Sequence, residues 1–224
     1  MDTFQRARSE EQREIRRQSI LDAAAAMLDE MPVGEVSLNE LSRRVGLAKS
    51  NVLRYFESRE AVLLELLDLT WRRWTAGLPA VLADAIDAEA AVAERTERFA
   101  AALAASLAGY RVLCDLLSAQ AGVLEHNVSP AVAARYKRAA LANVGELAAL
   151  ARFHLPELGD RASRLAASVI MMIGAVWTHA RPSPSMLAAY AADPSLAVWK
   201  TDFTTALQDV LATLTAGTLA RTSA

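Results

Sequence analysis

Basic side chains cluster in one short stretch of an otherwise slightly acidic chain. Over the whole sequence, 24 lysine and arginine residues face 26 aspartate and glutamate residues, which gives a formal net charge of −2. Between positions 37 and 59, five basic and two acidic residues give a local net charge of +3. The basic residues of this stretch are Arg43, Arg44, Lys49, Arg54 and Arg59. A locally positive stretch is typical of a surface that binds phosphate groups.

The residues around this stretch predict two short helices joined by a tight turn. Ser37, with Glu40 three residues later, forms a capping box, which starts a helix. That helix is expected to end near Gly46, because glycine readily takes the left-handed conformation of a helix C-cap. A third helix is expected over 48–55, and Ser58 caps a long fourth helix. Two short helices in this order form a helix-turn-helix, whose second helix lies in the major groove of DNA.

Three segments of this region resemble the TetR family of bacterial regulators. They are Ile20–Ala24 (ILDAA), Leu41–Lys49 (LSRRVGLAK) and Val52–Leu63 (VLRYFESREAVL). The resemblance covers residues 15–65, and the rest of the chain resembles the family in length, helical content and order of elements. It implies a homodimer that binds a palindromic operator in double-stranded DNA. It also implies a C-terminal domain that binds a small-molecule effector.

The resemblance assigns DNA contacts position by position. It implies that Ser37 and Arg59 contact phosphate at the starts of the second and fourth helices, and that Tyr55 packs at the DNA backbone. Four further residues lie on or beside the recognition helix. With the two arginines of the second helix, the predicted DNA-binding set is Ser37, Arg43, Arg44, Lys49, Ser50, Asn51, Arg54, Tyr55 and Arg59. The first helix, expected over 9–30, adds candidate phosphate contacts at Arg13, Arg16 and Arg17.

The chain departs from the family pattern at three positions of the motif. Ala48, Ser50 and Leu53 stand where the family commonly has Ser, Gly and Tyr. The missing tyrosine removes one expected contact with phosphate or base. An alternative interpretation treats the basic residues as solvated helix charges. Asn51 either reads an adenine edge or serves as a surface or capping residue.

The rest of the chain predicts further helices and no strand. The expected fold is all-α, with an N-terminal three-helix helix-turn-helix domain over 1–57 and a larger helical ligand-binding and dimerisation domain over 58–224. The fourth helix is expected to end towards Leu78-Pro79. The later helices are expected at 80–86 continuing into 88–107, 110–120, 130–155, 160–181 and 195–218. Ser129-Pro130 and Asp193-Pro194 mark two of the starts, because each places a capping side chain before a proline.

Two of these helices predict a dimer interface. The helix over 160–181 is apolar on nearly every face, and the last helix carries an apolar stripe at helical spacing. In the family, these two helices pair across a twofold axis, whereas the alternative is packing within one chain. The predicted interface residues are Val169, Ile173, Trp199, Phe203 and Val210.

A ligand pocket is expected among the middle helices of the larger domain. Bulky side chains with a few polar groups suit an apolar effector. In any helical bundle, the same residues are also ordinary core residues. The predicted pocket residues are Trp71, Trp74, Tyr110, Cys114, Met171, Met172 and Trp177.

Candidate catalytic and metal-binding residues are few. The single cysteine, Cys114, cannot form an internal disulfide, and His126, His154 and His179 share no metal-ligand spacing with it. The sequence contains no glycine-rich phosphate loop and no serine nucleophile elbow. We therefore expect no enzyme, no metal site and no cofactor. An enzyme would show turnover that depends on the cysteine or on one of the histidines.

The charged N-terminus lacks the apolar segment of a signal peptide. The longest apolar stretch, 165–177, is shorter than the roughly 20 residues that span a bilayer. These features predict a cytoplasmic protein without membrane association. The predicted function is a DNA-binding transcriptional regulator, by default a repressor released by a small apolar effector. The main alternative is a helical ligand-binding or protein-interaction module with a vestigial helix-turn-helix.

Overall fold

Ten α-helices account for most of the residues in the computed structural model, which describes residues 3–198, 200 and 202–221. The helices are α1 (Thr3–Glu30), α2 (Leu38–Arg44), α3 (Lys49–Val52), α4 (Arg59–Ala85), α5 (Val92–Ser106), α6 (Arg111–Ala119), α7 (Pro130–His154), α8 (Ala162–His179), α9 (Pro184–Ala192) and α10 (Phe203–Ala220). Short 3₁₀ segments lie at Val33–Glu35, Leu107–Gly109, Pro156–Arg161 and Pro194–Ala197, and a π-helical turn lies at Gln120–Leu124. The predicted all-α fold, with a helix-turn-helix domain and a larger helical domain, is confirmed.

Serine side chains start three helices at positions that the sequence predicts. The hydroxyls of Ser37, Ser58 and Ser129 each accept a hydrogen bond from the backbone N–H three residues later, at 3.1, 3.1 and 3.3 Å. These bonds satisfy N–H groups that have no partner within the helix. At the other end of α2, Gly46 has a φ of +64°, a conformation that favours glycine.

Helix α4 continues beyond the point where the sequence predicts its end. Pro79 lies inside the helix, which runs to Ala85, so the predicted break at Leu78-Pro79 is wrong. A proline inside a helix costs about 3 kcal/mol. Leu78 and Leu82 on either side of it are 1% and 0% exposed. Burying two such side chains contributes about 1.5–3 kcal/mol each, which is enough to offset the lost backbone bond.

The segment between α8 and α10 also differs from the prediction. The sequence predicts one helix from residue 195, but Asp193 caps only the short 3₁₀ segment Pro194–Ala197, and α10 begins at Phe203. Helix α9 precedes this segment, and its start is capped by Ser183. No residue of α9 is buried. The unexpected helix arises from a serine–proline pair, the same signal that starts α7.

The core of the larger domain forms around α4 and α8. Helix α4 packs on α1 near its start and on α5, α6 and α7 further along, while α8 packs on α6, α7 and α10. Trp71, Trp74 and Phe99 are among the largest fully buried side chains. The described residues contain no single helix with the length and apolar composition to cross a membrane. Val92–Gly109 and Arg111–Leu124 meet that criterion only as a pair bent by 99°.

Helices α6 and α8 approach each other closely at Gly174. A Cβ atom on this glycine would lie 2.9 Å from the backbone oxygen of Leu117 and 3.2 Å from the Cα of Ser118. Both neighbours are backbone atoms, so they cannot move aside as a flexible side chain does. The close approach of these two helices therefore requires a residue without a side chain at this position.

We expect Gly174→Ala to lower the free energy of unfolding by about 1–3 kcal/mol, because the added methyl group overpacks a rigid contact. Gly145→Ala on α7 is the matched control, since a Cβ there meets nothing within 4 Å. The control should raise stability by up to about 1 kcal/mol through helix propensity. Urea denaturation at one protein concentration measures both variants. A Gly174→Ala protein as stable as the control would contradict the close packing.

Candidate functional site

The exposed face of α3 is the most direct candidate for contact with DNA. The helix is one turn long, and Val52 is its buried residue. Lys49, Ser50 and Asn51 on α3 are exposed, and so is Arg54 in the turn that follows. Neither Lys49 nor Arg54 forms an ion pair with any residue that the structure describes. Their charges are therefore available to phosphate groups.

A polar groove extends this basic face towards α1. It is lined by Arg13 and Arg16 on α1 and by Arg54 and Tyr55 after α3. Arg13, Arg16 and Arg54 are exposed, whereas Tyr55 is half-buried. The sequence suggested phosphate contacts for both Arg13 and Arg16. The fold brings both of them to the same groove as Arg54.

Arg44 and Arg59 belong to the predicted DNA-binding set, and in the structure both donate hydrogen bonds to groups within the protein. Arg44 donates to the carboxylate of Glu30 at 2.8 and 2.6 Å and to Glu40 at 3.0 Å. Arg59 donates to the Val36 carbonyl oxygen at 2.9 Å, and its side chain is 19% exposed. These bonds hold α2 and the loop before it, and contact of Arg44 or Arg59 with DNA stays a prediction.

Glu40 does not complete the predicted capping box. Its carboxylate accepts hydrogen bonds from Arg43 and Arg44, and these bonds hold the pKa of Glu40 below its ordinary value. Arg43 is 78% exposed while bound to Glu40. It thus keeps access to solvent on the surface of α2. Ser37, also predicted to contact phosphate, is exposed and uses its hydroxyl oxygen as the cap of α2.

Arg17 has a role that the sequence did not indicate. Its guanidinium donates to the Tyr55 carbonyl oxygen at 2.8 Å and bonds the carboxylate of Glu65 on α4. The same group lies 4.4 Å from the centre of the Phe56 ring. Because its side chain is 20% exposed and has these partners, Arg17 is a structural residue rather than a phosphate contact. Its partners lie 38 to 48 residues away, so sequence spacing gives no signal for them.

Hydrogen bonds between Glu57 and Ser129 also join the helix-turn-helix to the larger domain. The carboxylate of Glu57 accepts from the backbone N–H of Ser129 at 2.5 Å and from its hydroxyl at 2.8 Å. The bond from the backbone N–H of Ser129 lowers the pKa of Glu57 most, and the bond from the hydroxyl lowers it further. Ser129 is also the cap of α7. The end of the DNA-binding motif is thus attached to the start of α7.

A cavity of about 470 Å³ lies between α4, α6, α7 and α8. Two of the seven predicted pocket residues, Trp71 and Met171, line it. Tyr136, Lys137 and Leu141, which belong to the α7 wall, were not predicted from the sequence. An aromatic ring or a leucine on a long amphipathic helix looks like any other core or surface residue. Only the packing of α7 against α4 and α8 shows that these three share a cavity.

The other predicted pocket residues lie outside this cavity. The indole N–H of Trp74 donates to the Ser106 hydroxyl at 2.8 Å, and that of Trp177 donates to Asp115 at 2.7 Å. Cys114 is fully buried, and burial raises the pKa of its thiol to about 12. Tyr110 donates to the Arg73 carbonyl at 3.4 Å, and Met172 is half-buried. Trp74 and Cys114 are thus core residues, whereas Tyr110, Met172 and Trp177 are half-buried.

The predicted dimer residues divide between core and surface. Val169 and Ile173 are 1% and 0% exposed within the single chain, so their side chains have no surface left for a partner. Phe203 and Val210 on α10 are half-buried. Phe203 packs edge-on against the Trp177 ring, with centroids 4.8 Å apart. Trp199 lies outside the described residues.

The described residues contain no group of three or more histidine, cysteine, aspartate or glutamate side chains arranged to hold a metal ion. His154 is 9% exposed, and burial lowers its pKa. Its backbone oxygen accepts a hydrogen bond of 2.7 Å from the buried Arg95, which also pairs with Glu157 at 2.5 Å. This cluster joins α5 to the end of α7.

Both parts of the chain match models of known protein families. A family model described as "Bacterial regulatory proteins, tetR family" matches residues 20–66. A second model, "Tetracyclin repressor-like, C-terminal domain", matches residues 69–222. The sequence is similar to the HTH-type transcriptional regulator EthR of Mycobacterium tuberculosis (strain ATCC 25618 / H37Rv), with 38% identity over 50 residues. That match covers 22% of this chain and 23% of EthR, so the chain spans about a quarter of the length of the curated relatives it matches.

Two solved structures are similar over nearly the whole chain. The fatty acid degradation regulator FadR from Bacillus halodurans has a TM-score of 0.53 at 16% identity, covering 92% of this chain and 99% of that one. The regulator FadR from Bacillus subtilis, in complex with stearoyl-CoA, has a TM-score of 0.51 at 15% identity, covering 89% and 98%. At these identities, the similarity shows the fold alone.

We expect Arg17→Lys to lower the free energy of unfolding by about 1–3 kcal/mol. An ammonium group cannot reproduce the planar set of donors that reaches Tyr55 and Glu65 while stacking on Phe56. Arg16→Lys is the matched control, because Arg16 is exposed on the same helix. Urea unfolding of both variants is the measurement. If Arg17→Lys unfolds at the wild-type urea concentration, Arg17 does not hold the motif on α4.

Proposed function

Since this chain belongs to the TetR family of DNA-binding transcriptional regulators, we propose that it is a repressor that a small apolar effector releases from its operator. In this proposal, it binds a palindromic operator as a homodimer. The observation that carries the proposal is that one chain combines an unpaired basic face on α3 with a largely apolar cavity. We place the domain boundary at residue 57, directly before Ser58 caps α4.

The basic face supports binding in the major groove. In a helix-turn-helix, side chains of the second helix contact base edges while neighbouring residues contact phosphate. Asn51 has a donor and an acceptor for an adenine edge. Lys49 and Arg54 offer charges without internal partners, and Arg13 and Arg16 extend the positive surface along α1. This arrangement fits a duplex whose backbone passes between α1 and α3.

Pairing of two chains through α8 and α10 would match the symmetry of a palindrome. A twofold axis relates two identical surfaces, so two recognition helices enter successive major grooves about 34–36 Å apart. Phe203 and Val210 on α10 keep part of their apolar surface exposed in the single chain. On α8, Met171 is 62% exposed. Because Val169 and Ile173 are internal, the proposed interface relies on these outward residues.

The cavity supports the effector. Its walls are mostly apolar, and its volume falls within the range of small-molecule sites. Trp71 reaches it from α4, the helix that begins at the DNA-binding motif. Helix α7 carries another wall and begins at Ser129, which is bound to Glu57. The stearoyl-CoA bound to the Bacillus subtilis FadR does not identify the effector of this chain, since the two proteins share only the fold.

Release would follow from differential binding. A ligand that fits the cavity better when α4 or α7 is tilted favours that tilted state, and it shifts the population away from the operator-bound conformation. Both helices are bonded to the DNA-binding motif, α4 through Glu65 to Arg17 and α7 through Ser129 to Glu57. A change of tilt thereby alters the separation of the two recognition helices.

The first test of the proposal is footprinting of the purified protein on the DNA that flanks its own coding region, at two salt concentrations. A repressor of this kind protects a palindrome with salt-sensitive affinity. If neither this DNA nor a genome-wide selection of sites yields a protected sequence, the proposed function fails.

We expect Lys49→Ala and Arg54→Ala each to weaken operator binding and to reduce the slope of log K against log salt concentration by about one, because each variant removes one phosphate contact. The matched control is Arg138→Ala, which changes an exposed arginine on α7. All three variants should unfold like the wild type. Wild-type operator affinity in both test variants would place the DNA-binding surface elsewhere and favour a vestigial motif.

We expect Val210→Arg to produce monomers and to weaken operator binding, because a buried unpaired charge is unfavourable in an interface. Sedimentation equilibrium gives the mass, and circular dichroism checks the helical content. Ala83→Arg on the exposed side of α4 is the control and should remain dimeric. A Val210→Arg protein that sediments as a dimer would exclude this face of α10 from the interface.

A further inference from the structure

Two buried side-chain polar atoms in the described part of the chain have no hydrogen-bond partner. They are the indole Nε1 of Trp71 and the hydroxyl oxygen of Tyr136. The two residues are only 2% and 5% exposed. Native proteins leave few buried donors unpaired, because the lost interaction with water is not replaced. Such an atom therefore needs an explanation, and one explanation is a missing ligand.

Both side chains line the same cavity from different helices. Trp71 lies on α4 and Tyr136 on α7, and the α8 wall opposite them includes Ile170 and Met171. By contrast, the indoles of Trp74 and Trp177, which do not line the cavity, each have a partner at 2.7–2.8 Å. The two unpaired donors thus belong to residues of the cavity wall, whereas these two indoles outside the wall are paired.

The charges around the cavity do not favour an anionic ligand. Its charged lining residue, Lys137, is bound to the carboxylate of Glu125 at 2.7 Å. Gln120, also in the lining, donates to the same carboxylate at 2.9 Å. Burial is the main reason why the pKa of Tyr136 is raised, and the negative charges of Glu125 and Asp68 raise it further. The phenol is consequently a neutral donor, and the two carboxylates near it are paired, Glu125 with Lys137 and Asp68 with Arg72.

We propose that the effector is an uncharged, mostly apolar molecule whose hydrogen-bond acceptors pair with the Trp71 indole N–H and the Tyr136 hydroxyl. Ketones, esters and amides have this chemistry. A hydrocarbon would leave both donors unpaired, and a carboxylate would meet no unpaired cation in the wall, because Lys137 is bound to Glu125. The inference rests on the proposed function, since it describes the effector of that repressor.

Equilibrium dialysis with four probes of equal carbon number tests this chemistry on the full chain. The probes are methyl nonyl ketone, undecane, undecanoate and undecylammonium. The ketone should bind at least about tenfold more tightly than each of the others, a ratio that corresponds to one good hydrogen bond. Tyr136→Phe, which keeps the ring, should weaken ketone binding by about tenfold and leave undecane binding unchanged, and Trp71→Phe should weaken ketone binding more than undecane binding.

Two further measurements keep the test independent of probe choice. Ala140→Phe, which fills the cavity from α7, should abolish binding of every probe and so locate the site. In the ligand-free protein, Tyr136→Phe should raise the melting temperature, because it removes a buried hydroxyl without a partner. A lower melting temperature would mean that the hydroxyl is already paired, and it would overturn the proposal.

The remaining outcomes separate the effector chemistry from the proposed function. If no probe binds, or if the carboxylate or the ammonium binds most tightly, the proposal fails even when footprinting shows operator binding. If the ketone behaves as expected but the chain protects no DNA, the cavity chemistry stands and the repressor function fails. Release of the protected operator by the ketone, lost in Tyr136→Phe, would support both.

Discussion

The guanidinium of Arg17 fixes the orientation of the DNA-binding motif relative to the rest of the chain. Helix α3 has only four residues, and a single helical turn is not stable by itself in water. Its position is therefore set by its neighbours. Arg17 binds the backbone just after the motif, stacks on Phe56 and pairs with Glu65 on α4. The recognition residues are consequently held against both α1 and α4.

The arginines near the motif fall into two groups with different physical tasks. Arg17, Arg44 and Arg59 form hydrogen bonds inside the protein and give the motif its shape. Arg13, Arg16 and Arg54 line an open groove. A count of charges along the sequence does not separate these groups, because it ignores the acidic partners. The surface available to phosphate is thus smaller than the local net charge suggests, and part of it comes from α1.

Local signals made the helix-turn-helix predictable from sequence. Ser37, Gly46 and Ser58 act within three or four residues of their partners, and these short-range effects are encoded in adjacent positions. The continuation of α4 through Pro79 was not predictable in this way, because it depends on burial against other helices. Helix α9 begins with the capping pair Ser183-Pro184, although it was not among the helices predicted from the sequence.

The cavity was the least predictable feature. Trp71 and Met171 were identified by bulk, but bulk selected core residues such as Trp74 and Cys114 equally well. What distinguishes a cavity wall from a core is the space beside it, which depends on how α4, α7 and α8 pack. Gly174 contributes to that packing by allowing α6 and α8 to approach closely. No pattern along one helix contains this information.

The burial of Cys114 has a practical consequence for studies of motion. It is the only cysteine in the chain, it is fully buried, and its thiol is far from ionisation at neutral pH. Maleimides and methanethiosulfonates react with accessible thiolates, so we expect Cys114 to react with them slowly. A cysteine introduced at an exposed position, for example in place of Ser50, would carry a spin label or fluorophore without removal of the native one. The spacing of the two motifs in a dimer then becomes a distance that pulsed electron resonance can measure directly.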